Sequence, residues 1–137
     1  MANALHASFK QLLLGSLAID FLNEDIIAIL TTNALYTYSA AHDFLDDITI
    51  AGRLATSDPL ENPTITNGVF DADNVIWTSV GAGNDGDRIM LVASRGGSPD
   101  ADPIIAMFDT GTNIPVTPNG SDITCAWNSG SSRIFAL

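Results

Sequence analysis

From Ile26 onward the chain is a succession of short, β-branched apolar runs, most of them closed by Gly, Pro, Asn or Asp. The runs lie at 26–32, 64–66, 69–71, 75–80, 88–93, 104–108, 122–127 and 133–137, with a weaker one at 53–56. Val, Ile, Thr and aromatic residues suit a pleated, packed surface, and runs this short do not complete the turns a stable helix needs. Turn dipeptides sit between them: Asp58-Pro59, Asn62-Pro63, Asn67-Gly68 and Asn119-Gly120. Asn67-Gly68, flanked by Thr64-Ile65-Thr66 and Val69-Phe70-Asp71, signals a tight hairpin or a bulge. Roughly eight short strands at turn-separated spacing predict an all-β fold, an antiparallel β-sandwich or a jelly-roll-like barrel. Ile29, Ile76, Leu91, Ile105 and Trp127, each inside such a run, are the expected core. Ala40 to Leu45 reads instead as a turn of helix.

A chain of 137 residues has room for one core. With 46% hydrophobic and 15% charged residues it has apolar material enough to fill that core, which excludes disorder. The charge is lopsided, 16 acidic against 5 basic residues, for a net −11. Phosphate contacts need clustered Lys and Arg, so neither nucleic acid nor an anionic membrane surface is an expected partner. One cysteine, Cys125, excludes an internal disulfide and a zinc site built on thiolates.

The first 22 residues differ in character and divide the chain into an N-terminal helix or arm, 1–22, and a single β-sandwich domain, 23–137. Leu5, Phe9, Leu12 and Leu13 recur at a helical period, with Asn3 placed as N-cap and Gly15 as the stop. The other form is an extended arm packed on a neighbour. The apolar stretch 12–19, bounded by Lys10 and Asp20, is too short to span a bilayer, and it lacks the basic N-terminal region and the small-residue cleavage site of a secretory signal. The chain is therefore expected to stay where it is made until it joins something. Phe9, Leu12, Leu13, Leu14 and Leu17 are the candidate contact residues for another subunit. The competing reading is that they complete the chain's own core.

Little chemistry is assembled by the sequence. Cys125 alternates with Ile123 and Trp127 and is expected to be a buried structural thiol. Ser39, His42 and Asp43 are sequence neighbours, whereas a catalytic triad gathers from separate elements. The acidic pairs Asp46-Asp47, Asp71/Asp73, Asp85/Asp87 and Asp100/Asp102 fall in turns, where Asp serves as a turn former. Asn84-Asp85-Gly86-Asp87 and Asp71/Asp73/Asn74 offer oxygen ligands for calcium but lack the EF-hand spacing. Tyr36, Tyr38, Trp77 and Trp127 are candidates for a sugar-stacking platform or for core packing. No catalytic residue, no metal and no cofactor is expected.

The run Tyr36-Thr37-Tyr38-Ser39-Ala40-Ala41-His42-Asp43-Phe44-Leu45-Asp46-Asp47-Ile48 resembles segments of small virion proteins of tailed bacteriophages. Gly68-Val69-Phe70-Asp71-Ala72-Asp73-Asn74-Val75 is similar to the same group. So are Pro115-Val116-Thr117-Pro118-Asn119-Gly120-Ser121-Asp122-Ile123-Thr124 and the ending from Trp127 through Arg133-Ile134-Phe135. The resemblance covers nearly the whole chain. It implies a structural phage protein, a capsid decoration (cement) protein that docks as a homotrimer on the major capsid protein or another virion protein. It would be made in the host cytoplasm and reside on the capsid surface. The group's N-termini are usually richer in Lys, and this chain is more acidic there. A tail or head–tail connector component and a carbohydrate-binding host-attachment module are the alternatives. An exposed aromatic platform would mark the last of these.

Overall fold

The computed structural model describes residues 3–7, 9–10 and 19–137. Its strands are β1 (Ala4–Leu5), β2 (Asp25–Thr31), β3 (Arg53–Thr56), β4 (Thr64–Thr66), β5 (Val69–Asp71), β6 (Val75–Trp77), β7 (Arg88–Ser94), β8 (Ile104–Phe108), β9 (Ile123–Cys125) and β10 (Phe135–Ala136). All strand pairs are antiparallel, and the fold is an all-β sandwich rather than a closed barrel. The main sheet runs β1-β8-β7-β2-β3; two small sheets, β10-β5-β4 and β6-β9, complete the sandwich.

β2 and β7 are the spine, paired from Asp25 opposite Ser94 to Thr31 opposite Arg88. Successive side chains in a strand point to opposite faces, and here both faces are covered. Ile26, Ala28, Leu30, Ile89, Leu91 and Ala93 enter one core with Phe70, Val75, Trp77, Cys125 and Phe135. Ile27, Ile29, Met90 and Val92 enter a second core, capped by Tyr36, Leu45 and Ile48. Double coverage explains why these strands read as unbroken apolar runs, although an antiparallel sheet commonly leaves one face in water.

Two bulges adjust the sheet. Leu91 pairs with Ala106 but Val92 with Ile104, so Ile105 is the extra residue. Ile105 and Ala106 therefore share one core while Ile104 and Met107 fill the other. Leu54 is extra in the same way between Ala55 opposite Leu30 and Arg53 opposite Thr31. The β4–β5 turn has Asn67 at φ 51° and Gly68 at φ 78°, both left-handed, as a two-residue hairpin of right-handed twist requires.

Four phenylalanines close one end of the first core. Phe21 lies 5.7 Å from Phe9, 5.0 Å from Phe70 and 5.6 Å from Phe135, and Phe9 lies 6.1 Å from Phe135. These centroid separations fall in the favoured range for tilted and edge-on aromatic pairs.

Several expectations change. Leu5 is not on a helix: with Ala4 it forms β1 on the edge of the main sheet, Leu5 opposite Ala106. The helical turn opens only at Ala7, where the Lys10 N–H donates to the His6 carbonyl at 3.1 Å. Asn3 does not cap it; its Oδ1 accepts from the Asp109 and Thr110 N–H groups at 2.8 and 2.9 Å, beyond the end of β8. Residues of the 1–22 segment that are described thus belong to the sandwich itself, with Phe9, Ile19 and Phe21 in its core. Ala40 to Phe44 is not helical; Leu45 opens a short 3-10 turn, Leu45–Asp47, and a second stands at Ile50–Gly52. Ile29, Leu91 and Ile105 are buried, but Ile76 is 58% exposed and Trp127 only half-buried. Ile76 points outward because β6 belongs to a two-stranded ribbon whose inward positions are taken by Val75 and Trp77. Trp127 lies beyond the end of β9. No helix among the described residues is long and apolar enough to cross a membrane.

Candidate functional site: an apolar cleft in the sandwich

Between the β1–β8 edge of the main sheet and β9 the sandwich does not close. It leaves a cleft of about 940 Å³. Leu30, Trp77, Ile89 and Ala106, all core residues, are among its lining, so the cleft reaches the interior. Leu5 and Phe108 belong to the main-sheet side, Ile123 and Cys125 to β9, and Ile114 and Val116 to the 110–116 turn.

Both tryptophans border it. The Trp77 indole N–H donates to the Ala28 carbonyl at 3.0 Å, fixing the ring against β2. The Trp127 indole N–H donates to the Asp73 carbonyl at 3.0 Å, its backbone N–H donates to Asn74 Oδ1 at 3.1 Å, and its ring lies 6.0 Å from Phe108. Both indoles are thus oriented by their polar ends, leaving apolar ring surface at the cleft. Cys125 is buried, and that burial pushes its thiol up to about 11, so it is a neutral thiol at physiological pH. Among the described lining residues there is no carboxylate and one cation, Arg133. Its Nε stands 3.7 Å from Asp71 Oδ2.

A second polar group lies under the 32–52 segment, over the other face of the sheet. The Tyr36 hydroxyl and His42 Nδ1 are 2.8 Å apart. The Arg88 guanidinium lies 4.9 Å from the Tyr38 ring centre and donates to Asn33 Oδ1 at 2.9 Å. His6 is 1% exposed and meets Tyr38 edge-on at 6.0 Å. Burial lowers the His6 pKa, and His42 lowers it further; a hydrogen bond with the Ser39 backbone and the charges of Asp43 and Asp47 act the other way. A histidine held neutral in the fold binds a proton in the unfolded chain below its ordinary value near 6.5. Its contribution to stability is therefore present above that pH and is lost as pH falls toward the folded value. Asp20, Glu24 and Asp47 are also held low, by hydrogen bonds first, but their losses begin only below about pH 5, as the unfolded carboxylates start to take up protons. Urea unfolding is expected to show stability falling between about pH 7 and 5. A His6→Gln protein should lose much of that slope; an unchanged slope would exclude His6 as its source.

The residues singled out in the sequence do not gather into one site. Ser39 Oγ accepts from the Ala41 N–H, His42 faces Tyr36, and the Asp43 N–H donates to Asp47. The acidic turns serve as locks: Asp85 accepts from Thr117 Oγ1 at 2.7 Å, Asp87 from the Asn33 N–H at 2.7 Å and Asp73 from Asn62 Nδ2 at 2.7 Å. Among the described residues no three His, Cys, Asp or Glu side chains are grouped to hold a metal. Trp77 and Tyr36 are buried in different cores, so the four aromatics form no common exposed platform. Phe9 is fully covered by its own chain. Leu12, Leu13, Leu14 and Leu17 lie outside the described residues. The cleft had no sequence signal, because its lining comes from strands and turns far apart in the chain. The chain matches no family model and no curated protein.

Proposed function

We propose that this chain is a structural protein of a tailed-bacteriophage virion, a capsid decoration protein that binds the shell as a homotrimer. The phage assignment and the number three rest on the sequence resemblance. The observation that supports assembly is the edge of the small sheet β10-β5-β4. All three residues of β4 are exposed, and among the described residues β4 pairs on one side only. Ile65 stands opposite Phe70, which stands opposite Phe135, so a buried aromatic row continues outward into an isoleucine that is 48% exposed. Leu137, 71% exposed, is tied to the same sheet by its N–H to the Gly68 carbonyl at 3.0 Å. An open strand edge carrying apolar side chains is a surface suited to being covered by another chain. The carbohydrate-binding alternative is less favoured, because among the described residues Trp77 and Tyr36 are buried in different cores and share no exposed stacking surface with Trp127.

Light scattering of the purified protein tests this. The expected mass is three times the 14.4 kDa chain, with bound protein sedimenting together with empty capsid shells. A 14.4 kDa species at micromolar concentration, unchanged on adding shells, would remove both trimer and docking.

A further inference from the structure

We propose that the cleft between β1–β8 and β9 is a binding site for a free amphiphilic carboxylate, a single apolar chain ending in one carboxylate group. This inference does not depend on the virion assignment. At about 940 Å³ the cleft lies at the upper end of the size range in which pockets bury most of a small ligand. Its inner lining is fully apolar core: Leu30, Ile89 and Ala106 together with the Trp77 indole. A long hydrocarbon body matches that lining, since each buried methylene contributes about 0.8 kcal/mol.

Charge selects the head group. The chain carries 16 acidic residues, yet none is among the described residues of this lining. The one cation there, Arg133, is 47% exposed at its side chain and only loosely engaged by Asp71 at 3.7 Å. A guanidinium presents a fork of donors that matches a carboxylate in two parallel bonds. A cationic head would meet Arg133 unfavourably, and a neutral head would gain no ion pair with the guanidinium beyond the one Asp71 already makes at 3.7 Å. The −11 charge of the chain as a whole opposes an anion at long range, but beyond about 8 Å that repulsion is screened at physiological salt. The neutral rim residues Thr124 and Asn128 add hydrogen-bonding groups without charge.

The test uses the full chain and its own reporters, because its two tryptophans both line the cleft. Dodecanoate, kept below its micelle-forming concentration, is titrated against tryptophan emission, with dodecanol and dodecyltrimethylammonium as comparators. The expected result is a saturable blue shift at one ligand per chain, with dodecanoate bound about tenfold more tightly than dodecanol. Arg133→Gln should bring dodecanoate down to the dodecanol level, and Arg133→Lys should retain part of the difference. Arg95→Gln, which removes the cation paired with Glu24 at 2.9 Å, should leave the ratio unchanged. No saturable change, or equal binding of dodecanoate and dodecanol by the unaltered chain, overturns the proposal. So does an Arg133→Gln protein that keeps the full preference. The head-group comparison on the unaltered chain decides the matter even if a variant fails to fold.

Discussion

Replacing Phe9 with alanine is expected to lower the unfolding free energy by about 3–5 kcal/mol, the usual cost of deleting a buried phenylalanine. Domains of this kind are stable by roughly 5–15 kcal/mol, so this one change removes a large part of the total. Phe9 is 0% exposed and sits edge-on to Phe21 and Phe135, so its loss leaves a void where three rings now meet. Phe21 and Phe135, the rings that meet Phe9, both pack on Phe70, and the β5–β10 ladder fixes Phe70 opposite Phe135. Collapse around the void is therefore limited, which places the cost in the upper part of the range. Ile50→Ala, at a position 83% exposed and away from the β10-β5-β4 edge, is the control and should change stability by less than about 0.5 kcal/mol. Denaturant unfolding measures both; a loss below about 1 kcal/mol for Phe9→Ala would mean that Phe9 does not sit in this core. The same placement changes what an N-terminal deletion reports. Cutting away residues up to Ser16 removes β1 and Phe9 together, so weaker shell binding by the truncated chain would reflect lost folding as well as a lost anchor.

Strands were legible where turn chemistry bounded them. The 53–56, 64–66, 69–71 and 104–108 runs are strands over those same residues, because Asn67-Gly68, Asp58-Pro59 and Asp109-Thr110-Gly111 leave no freedom at their ends. β1 was not legible. Two residues carry no period, and Leu5 and Phe9 stand at the i, i+4 spacing of a helix although one is on a strand and the other on the turn that follows. Ile76 misled for a related reason: in Val75-Ile76-Trp77 all three residues are apolar, so composition hides an alternation that the burial shows plainly. The two-faced core was visible only as unbroken apolar runs in β2 and β7. What covers the second face is the 32–52 segment, a stretch of turns and 3-10 pieces with no hydrophobic period to announce it. The cleft was invisible for a different reason. It is a gap between sheets, and a gap has no residues of its own until the strands are placed.

How tightly the 32–52 segment seats on the sheet gives the second large effect. Gly52 ends the 3-10 turn Ile50–Gly52, and its carbonyl accepts the Thr32 N–H at 3.0 Å, so the segment's two ends meet there. A Cβ at this position would lie 2.4 Å from Tyr36 Cβ and 2.8 Å from Thr49 Oγ1. Real Cβ atoms do not approach so closely, and Tyr36 Cβ is the root of its side chain, not a free end that can swing away. Gly52→Ala must therefore displace the Tyr36 backbone or lift the segment from Ile27, Ile29, Met90 and Val92. Overpacking of this kind costs about 1–3 kcal/mol and occasionally more, which for a domain of this size lowers the thermal midpoint by roughly 4 °C per kcal/mol. A second readout identifies the cause. Burial pushes the Tyr36 hydroxyl up to about 12, opposed by the nearby Arg88 charge. In the folded chain it stays protonated where an unfolded tyrosine ionises near 10, so stability is lost as pH rises from the unfolded toward the folded value. Lifting the segment lets water reach that hydroxyl. Ultraviolet titration of Gly52→Ala should then show a tyrosine moving down from about 12 toward the ordinary value of 10, while the chain remains folded. An alanine variant with an unchanged thermal midpoint and an unchanged tyrosine titration would show that the segment has slack at Gly52, and that the second core is held by its apolar contacts alone.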